Sequence, residues 1–446
     1  MSETKLATPR VKTIQRVALA ILVLAGVVNY IDRATLAVAN PLIREELGLS
    51  VADMGYLLSA FLWAYAFSQL PTGAMVDRLG PRILLGLGLT LWSLAQLLGG
   101  LVRNFGEFFG ARLLLGVGEA PQFPTGARVV RDWFNQRDRG LATGVFNCAS
   151  SLGTAIAVPL LTYLMLSFGW RAMFVIMGIA GLIVAALWYA LYRNPREVAL
   201  TAEENAYRTE GDPAGQRTQV TWREWKLLFR FRTTWGMIFG YFGCIYLTWI
   251  YTAWLPGYLE MERHMSVKYT GWAAAIPFAC GVVGGLFGGY FADVLVRRGV
   301  EPLKSRRYPA AIALLLTSAS TVAAAYVESN ALAIAFISIS LFMVYTTSTA
   351  AWALSSVAVP TNCTASVGAV QNFGGYLGGA LAPTITGLIV QHTGSFVPAL
   401  VVGALIGVVS AGSYLFIVDQ PITAADMDAV SAPDAAAVGL GVNPRP

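Results

Sequence analysis

Four charged residues lie inside long apolar stretches of the sequence. They are Asp32 and Arg33 in one stretch, and Arg112 and Glu119 in another. Ionisable groups in such a setting are costly and usually mark a substrate or ion path. An arginine guanidinium matches a carboxylate, and a buried acid takes up a proton more readily than a solvated one. These residue types therefore suit a site where an anion and a proton enter together.

The spacing of the second pair says how they are placed. Arg112, Gly116 and Glu119 are separated by four and three residues, so they share one helix face. Seven helical residues rise about 10.5 Å, so Arg112 and Glu119 should not touch and mark two levels of one path. Asp32 is late in its stretch and is a candidate partner of Arg112. The alternative is a static ion-pair network, but buried pairs are poor stabilisers, which favours a functional reason.

Composition predicts a membrane protein. Of 446 residues, 56% are apolar and 13% are charged, whereas a soluble domain carries about 25% charged residues. The net charge of +6 does not indicate nucleic acid, because the cations lie in short gaps between apolar segments. The four cysteines lack metal-ligand spacing, and no phosphate-cradling loop is found. We therefore expect no enzyme activity, no metal and no cofactor.

Twelve apolar stretches are long enough to cross a hydrocarbon core of about 30 Å, which needs about 20 helical residues. This predicts an all-α membrane protein with six spans on each side of a polar interruption. The predicted spans are 17–43, 54–76, 83–102, 107–129, 140–168, 171–192, 233–258, 270–295, 308–328, 331–359, 365–391 and 396–418.

The distribution of cations predicts the orientation. Basic residues cluster before the first span and after the second, fourth, sixth and eighth, which is one side of a twelve-span chain. The positive-inside rule then places both termini in the cytoplasm. The predicted organisation is an N-terminal half (1–192), a cytoplasmic linker (193–232), a C-terminal half (233–418) and a disordered cytoplasmic tail (419–446).

A repeated loop relates the two halves. Gly73 and Asp77 are followed by Arg78 and Arg82 after the second span, and a similar pattern ending in Asp293 follows the eighth. Related halves are a common transporter construction, and an aspartate there can meet the positive end of a neighbouring helix. We expect these five residues to control gating, with the eleventh span facing the first aspartate and the fifth span facing the second. The first copy resembles the loop signature of the major facilitator superfamily.

Further motifs resemble the anion:cation symporter family within that superfamily, over residues 15–418. The bacterial branch of that family that this sequence resembles transports sugar acids such as galactonate, hexuronates and glucarate, driven by protons. The motifs that carry the resemblance are Asn29-Tyr30-Ile31-Asp32-Arg33-Ala34-Thr35-Leu36, Gly55-Tyr56, Ser59-Ala60-Phe61, Tyr65, Gln69-Leu70-Pro71, Arg112, Glu119-Ala120-Pro121-Gln122-Phe123-Pro124, Asn194-Pro195-Arg196-Glu197, Trp352 and Asn372.

The resemblance implies roles for the four buried charges. Arg33 would bind the substrate carboxylate, Asp32 and Glu119 would take protons, and Arg112 would be the charge partner of the aspartate. Tyr65 would line the site. The full set of expected substrate-binding residues is Arg33, Tyr65, Asn147, Ser150, Thr248, Trp249, Trp352, Gln371 and Asn372. The resemblance implies symport of a small organic anion with protons, by a monomer in the bacterial inner membrane.

Two departures leave the substrate open. Ser150 and Thr248 stand where the branch often has glutamines, which removes amide groups that would hold sugar hydroxyls. A less hydroxylated or aromatic carboxylate is therefore an alternative to a sugar acid. Anion exchange or uniport without protons also remains open, since Arg33 would serve either. Drug–proton antiport is disfavoured, because Arg33 beside Asp32 does not suit a cationic drug.

Overall fold

The computed structural model describes residues 7–135, 138–210, 222–360 and 363–427. Over these ranges the chain forms fourteen α-helices and one short 3-10 helix, Pro195–Glu197. The helices are α1 (Pro9–Leu47), α2 (Val51–Gly99), α3 (Phe105–Glu119), α4 (Gln122–Trp133), α5 (Arg139–Phe168), α6 (Trp170–Leu191), α7 (Ala202–Arg208), α8 (Trp222–Leu228), α9 (Arg232–Met261), α10 (Val267–Arg297), α11 (Lys304–Tyr326), α12 (Asn330–Ser355), α13 (Thr364–Thr393) and α14 (Val397–Phe416).

The predicted fold class is confirmed. Ten helices in the described ranges are long and apolar enough to cross a membrane. The two other predicted spans correspond to the first part of α2 and to the consecutive helices α3 and α4. The chain is therefore an all-α, twelve-span membrane protein. Two short helices, α7 and α8, lie within the predicted linker.

The first helix begins and ends where local chemistry dictates. The Thr8 side chain accepts a hydrogen bond from Val11 N, and proline follows at the first helical position. The helix ends at Gly48, whose φ of 64° is the left-handed conformation that favours glycine. These signals extend α1 beyond the predicted 17–43 at both ends.

The helical backbone is interrupted between the second and third predicted spans and again within the fourth. Within α2, the second and third predicted spans are separated at Gly80, where φ of 77° and ψ of 158° are not helical. The fourth span divides into α3 and α4 around Ala120 and Pro121. Proline has no backbone N–H and its ring crowds the preceding turn, so the helical hydrogen-bond ladder stops there.

The described chain divides into two compact units. Of the described residues, the first unit contains 7–135, 138–210, 249–279 and 380–399, and the second contains 222–248, 280–360, 363–379 and 400–427. In the first unit α1 packs on α5, and α2 packs on α3 and α6; in the second, α11 packs on α12. The predicted boundaries of halves, linker and tail stay predictions. Residues 428–446 of the predicted tail lie outside the described ranges. At the start of that tail, the backbone N–H of Ile422 donates to Ala358 O at 2.8 Å.

Candidate substrate and proton site

The centre of the candidate site is an ion pair between α1 and α3. Arg33 Nε donates to Glu119 Oε2 at 2.8 Å. The two side chains are 3% and 0% exposed, so the pair is removed from water. A charge-assisted bond of this length is among the stronger protein hydrogen bonds, and in a low dielectric each partner depends on the other. The structure therefore brings together two of the four predicted charges.

Three aromatic rings surround the Arg33 guanidinium. Its central carbon lies 4.7 Å from the Tyr30 ring centroid, 4.8 Å from Tyr65 and 5.3 Å from Phe61. A guanidinium attracts aromatic faces electrostatically, and its planar donors keep one orientation among them. The predicted site residue Tyr65 is fully buried, and its hydroxyl accepts a bond from Gln69 at 2.8 Å. The rings fix the direction in which Arg33 can meet a carboxylate.

Asp32 and Arg112 are buried differently from the central pair. They are 0% and 2% exposed, and neither side chain forms a hydrogen bond to any described residue. Their charges interact electrostatically, but no Asp32–Arg112 ion pair lies within 4 Å in the described chain. Arg112 instead faces the ring of Phe61, at 5.3 Å from the centroid. The direct Asp32–Arg112 pairing considered from sequence does not form in this structure.

Two glycines bring α3 close enough to α2 to place these groups. A Cβ at Gly116 would lie 2.4 Å from Phe61 O, and a Cβ at Gly118 would lie 2.6 Å from Trp92 N. Such distances allow only glycine, and small residues let membrane helices approach closely. Because Gly116 lies between Arg112 and Glu119 on one face, this contact sets the height of both charges.

A short polar relay holds α1 at the same level. Thr35 Oγ1 donates to the Asp32 carbonyl at 2.7 Å, and Gln96 Nε2 donates to Thr35 Oγ1 at 3.0 Å. Gln96 lies on α2 and is 1% exposed. A threonine bonding the preceding turn tends to bend a helix. The relay therefore fixes the backbone that carries Asp32 and Arg33.

Three other predicted substrate residues of the first unit lie outside this cluster. Asn147 is exposed, and its carbonyl accepts the Ser150 hydroxyl at 2.7 Å. Trp249 is buried, with its ring centroid 6.2 Å from that of Phe61. Trp249 thus contacts a ring that also faces both arginines, whereas the Ser150 hydroxyl is engaged with its own helix.

The second unit holds the remaining predicted substrate residues. Trp352 is 46% exposed, and its indole Nε1 donates to the Tyr241 hydroxyl at 2.9 Å. Gln371 is buried and donates to Ala351 O at 3.3 Å. Thr248 is half-buried and donates to the carbonyl one turn earlier, and Asn372 is half-buried. As with Ser150, the Thr248 hydroxyl stands where the branch often has a glutamine, and it is already hydrogen-bonded to a backbone carbonyl.

Of the predicted gating residues, Arg82 makes the informative contacts. Its guanidinium bonds Glu197 Oε2 at 3.0 Å and Tyr189 O at 3.0 Å, while its backbone N bonds Asn194 Oδ1 at 3.3 Å. Burial opposes ionisation of Glu197, but hydrogen bonds from Asn194 and Arg82 together lower the pKa of its carboxyl. Two motifs distant in sequence thus meet at one turn. Gly73 has open space around it, Arg78 and Asp293 are exposed, and the Asp77 side chain lies outside the described part.

The first unit also contains a tight contact between α2 and α13. Thr384 N and Oγ1 bond Ser59 Oγ at 3.1 and 2.8 Å. A Cβ at Gly55 would lie 2.7 Å from Pro383 O, and one at Gly387 would lie 2.9 Å from Val51 O. The two helices therefore touch backbone to backbone.

Sequence reasoning gave no role to several residues that the structure places at the cluster. Phe61 and Tyr30 lie within the quoted motifs, but nothing in their spacing shows that they face a guanidinium. Gln96 had a usable signal, since an amide inside an apolar span must find a partner. Thr35 had none, because a helical threonine commonly bonds its own backbone.

Comparison with known proteins decides the family. Residues 22–383 match the family model described as Major Facilitator Superfamily. The chain belongs to the major facilitator superfamily. It is accordingly a membrane transporter and not an enzyme. The predicted similarity to the sugar-acid branch is confirmed by the relatives described next.

Two curated relatives carry the names of sugar-acid transporters. The chain is 45% identical to a protein named probable L-galactonate transporter of Escherichia coli (strain K12), over 93% of this chain and 91% of that protein. It is 34% identical to a probable galactarate/D-glucarate transporter of Bacillus subtilis (strain 168), over 88% and 89%. A solved bacterial homologue of the human lysosomal transporter Spinster, inward-facing and unoccupied, superposes with a TM-score of 0.77 at 18% identity, covering 91% of this chain and 97% of that one. The last similarity concerns the fold.

Proposed function

We propose that this major facilitator carries a small organic anion, a sugar acid in the first instance, together with a proton into the bacterial cell. The observation that carries the proposal is the buried Arg33–Glu119 pair, 2.8 Å long and enclosed by aromatic rings. An arginine held in that way presents a fixed site for one carboxylate. The relatives named for galactonate and for galactarate/D-glucarate transport support the substrate class.

The coupling follows from competition for Arg33. While Glu119 is ionised, its carboxylate occupies the guanidinium, and an incoming carboxylate meets a like charge. A proton on Glu119 removes that charge and weakens the bond to Arg33, so the substrate can replace it. Asp32 and Arg112 are the other acid and the other base of the cluster and lie within electrostatic range of it. Substrate and proton therefore favour each other's binding.

Binding is tested first. Purified protein is heated with a panel of organic acids that contains galactonate, glucarate, a hexuronate and aromatic monocarboxylates, since a ligand raises apparent stability with occupancy. We expect a sugar acid to give the largest shift, and Arg33→Ala to abolish it, while Arg33→Lys retains part of it. A full shift in Arg33→Ala would remove Arg33 from the site. A panel in which aromatic acids shift and sugar acids do not would overturn the sugar-acid assignment.

Proton coupling is tested in proteoliposomes with an imposed pH gradient. Glu119→Gln keeps the shape of the side chain but cannot ionise, so exchange of labelled substrate across the membrane should continue while gradient-driven accumulation stops. Removing one partner of a buried ion pair costs about 3–5 kcal/mol, so folding of the variant is checked by its melting curve. Accumulation that survives in Glu119→Gln places the coupling elsewhere. If the wild-type protein exchanges substrate at a rate that does not depend on the pH gradient, an exchanger or uniporter would be favoured.

We also propose that both termini lie in the cytoplasm and that the chain works as a monomer of two six-helix halves, 1–192 and 233–418. The clusters of cations on one side of the spans support the orientation. A fluorescent protein fused to the C-terminus should fluoresce in living cells, because it folds in the cytoplasm but not after export in an unfolded form. Absence of fluorescence, with fusion protein present in the membrane, would reverse the assignment.

A further inference from the structure

Three buried polar side chains on α1 and α4, near Glu119, have polar atoms that no described residue satisfies. Asn29, Gln122 and Thr125 are 0%, 1% and 0% exposed. Both amide atoms of Asn29, the Gln122 Oε1 and the Thr125 Oγ1 have no hydrogen-bond partner among the described residues. Buried polar atoms are nearly always paired with protein or water, so each of these requires an explanation.

The three side chains lie in order along one direction. Asn29 lies one turn of α1 before Arg33, whose Nε bonds Glu119. Gln122 follows Glu119 at the start of α4, and its Nε2 donates to Leu22 O, two turns back along α1. Thr125 lies on the next turn of α4.

The same two helices meet again further on. Gln15 Nε2 of α1 donates to Trp133 O at the end of α4, at 2.7 Å. Since Leu22 is opposite Gln122 and Gln15 is opposite Trp133, α1 and α4 run alongside each other, and Thr125 lies between these two contacts. The polar atoms therefore lead from Glu119 towards the N-terminal end of α1, which the proposed orientation places at the cytoplasm.

We infer that Asn29, Gln122 and Thr125 bind a short chain of internal waters that carries the proton from Glu119 to the cytoplasmic side. The inference rests on the proposed function and names the route of its proton. A buried water needs two to four polar partners, and these side chains offer donors and acceptors on adjoining turns. None of the three titrates near neutral pH, so they cannot carry the proton themselves.

The proton step balances without another reactant. The O–H bond of protonated Glu119 breaks as a water oxygen accepts the proton, and that water passes a proton to the next. The remaining Glu119 carboxylate is then taken by Arg33. The charged groups that face Glu119 are Arg33, Arg112 and Asp32, and all three belong to the charge cluster and not to the α4 side.

The chain offers a matched control on the same helix. Asn40 is also 0% exposed, and both of its amide atoms also lack a partner among the described residues. It lies seven residues beyond Arg33, in the opposite direction from Asn29, and close to Gly257. Asn29→Leu and Asn40→Leu thus make the same change at equal burial, but only one lies on the inferred route.

The test follows hydrogen–deuterium exchange of the Glu119 carboxyl by infrared spectroscopy at acidic pH, after a switch to heavy water. The carboxyl band is assigned by its loss in Glu119→Gln. We expect Asn29→Leu and the near-isosteric Thr125→Val to slow exchange by about tenfold or more, because each removes a hydrogen-bond partner of the waters. Asn40→Leu should exchange at the wild-type rate. Thr125→Val keeps the test valid if Asn29→Leu does not fold.

Wild-type exchange rates in Asn29→Leu and Thr125→Val would overturn the inference, as would equal slowing in Asn40→Leu. The same variants are assayed for gradient-driven L-galactonate accumulation in proteoliposomes. If wild-type protein shows no proton-driven accumulation while the exchange pattern holds, the proposed function fails and the water route stands. If wild-type accumulation is present and exchange is unaffected by the variants, only the route fails.

Discussion

Replacing Gly116 with alanine should uncouple the two helices that carry the charge cluster. The added Cβ would lie 2.4 Å from Phe61 O, 2.9 Å from the Ala64 Cβ and 2.9 Å from Tyr65 N. Two of these three atoms are backbone, so no side chain can turn aside. Relief to an ordinary contact near 3.4 Å requires α3 to move away from α2 by about 1 Å.

The size of the effect follows from that displacement. If Glu119 moves with α3, the 2.8 Å bond to Arg33 lengthens by up to about 1 Å, and the full displacement takes it beyond the normal hydrogen-bond range. Overpacking of this kind costs about 1–3 kcal/mol. Displacing binding groups by about 1 Å is expected to reduce transport by about ten- to a hundredfold. The variant should therefore fold with a lower melting temperature and transport poorly.

Gly110 is the control on the same helix. A Cβ there has nothing within 4 Å, and alanine improves helix propensity equally at both sites, so that contribution cancels. Both variants are measured in proteoliposomes for uptake of the best substrate from the organic-acid panel, and in detergent for thermal unfolding. Gly110→Ala should transport as wild type does and melt no lower than wild type. Wild-type uptake and melting in Gly116→Ala would refute the reasoning that backbone contact sets the height of Arg112 and Glu119.

Three other changes test separate parts of the molecule. The Ser59 and Thr384 hydroxyl oxygens are 2.8 Å apart, so Ser59→Cys and Thr384→Cys can form a disulfide that should stop transport until a reductant is added. Transport by the cross-linked protein would show that α2 and α13 need not separate there. Gly80→Ala should cost about 1–3 kcal/mol, because φ of 77° with ψ of 158° is essentially restricted to glycine. Gly144→Ala, with nothing within 4 Å of the added Cβ, should melt no lower than wild type. Trp352→Phe removes the 2.9 Å indole bond and should lower stability by about 1 kcal/mol; an unchanged melting temperature would show that the bond contributes nothing.

The fold was accessible from sequence because lipid imposes simple constraints. The lengths of the apolar stretches predict the membrane spans, and the positions of the Arg and Lys residues agree with a count of twelve spans. The departures arise from local backbone chemistry. Gly80 interrupts the helical backbone in the predicted gap between the second and third spans, and Pro121 separates α3 from α4 where hydropathy alone shows an unbroken stretch.

Which charges would pair was less accessible. Asp32 and Arg33 are neighbours, so their side chains point about 100° apart around α1. A modest rotation of α1 decides whether the aspartate or the arginine faces α3. The relay from Gln96 to Thr35 bears on that rotation, and the Gly116 contact sets how close α3 lies to α2. Neither contact has a signature in the spacing of the charges.

The charge count of the cluster limits how substrate and proton can be combined. Asp32 and Glu119 balance Arg33 and Arg112, so the buried group is formally neutral when all four are ionised. A monocarboxylate that enters alone leaves one uncompensated negative charge in a low dielectric, at a cost of several kcal/mol. One proton on either acid restores neutrality, whereas a dicarboxylate would require two. The proposed symport of a monocarboxylate should therefore be electroneutral. Its uptake in proteoliposomes should respond to an imposed pH gradient but not to an imposed membrane potential. An uptake rate that depends on the potential would mean that the cluster does not hold substrate and proton as a neutral group.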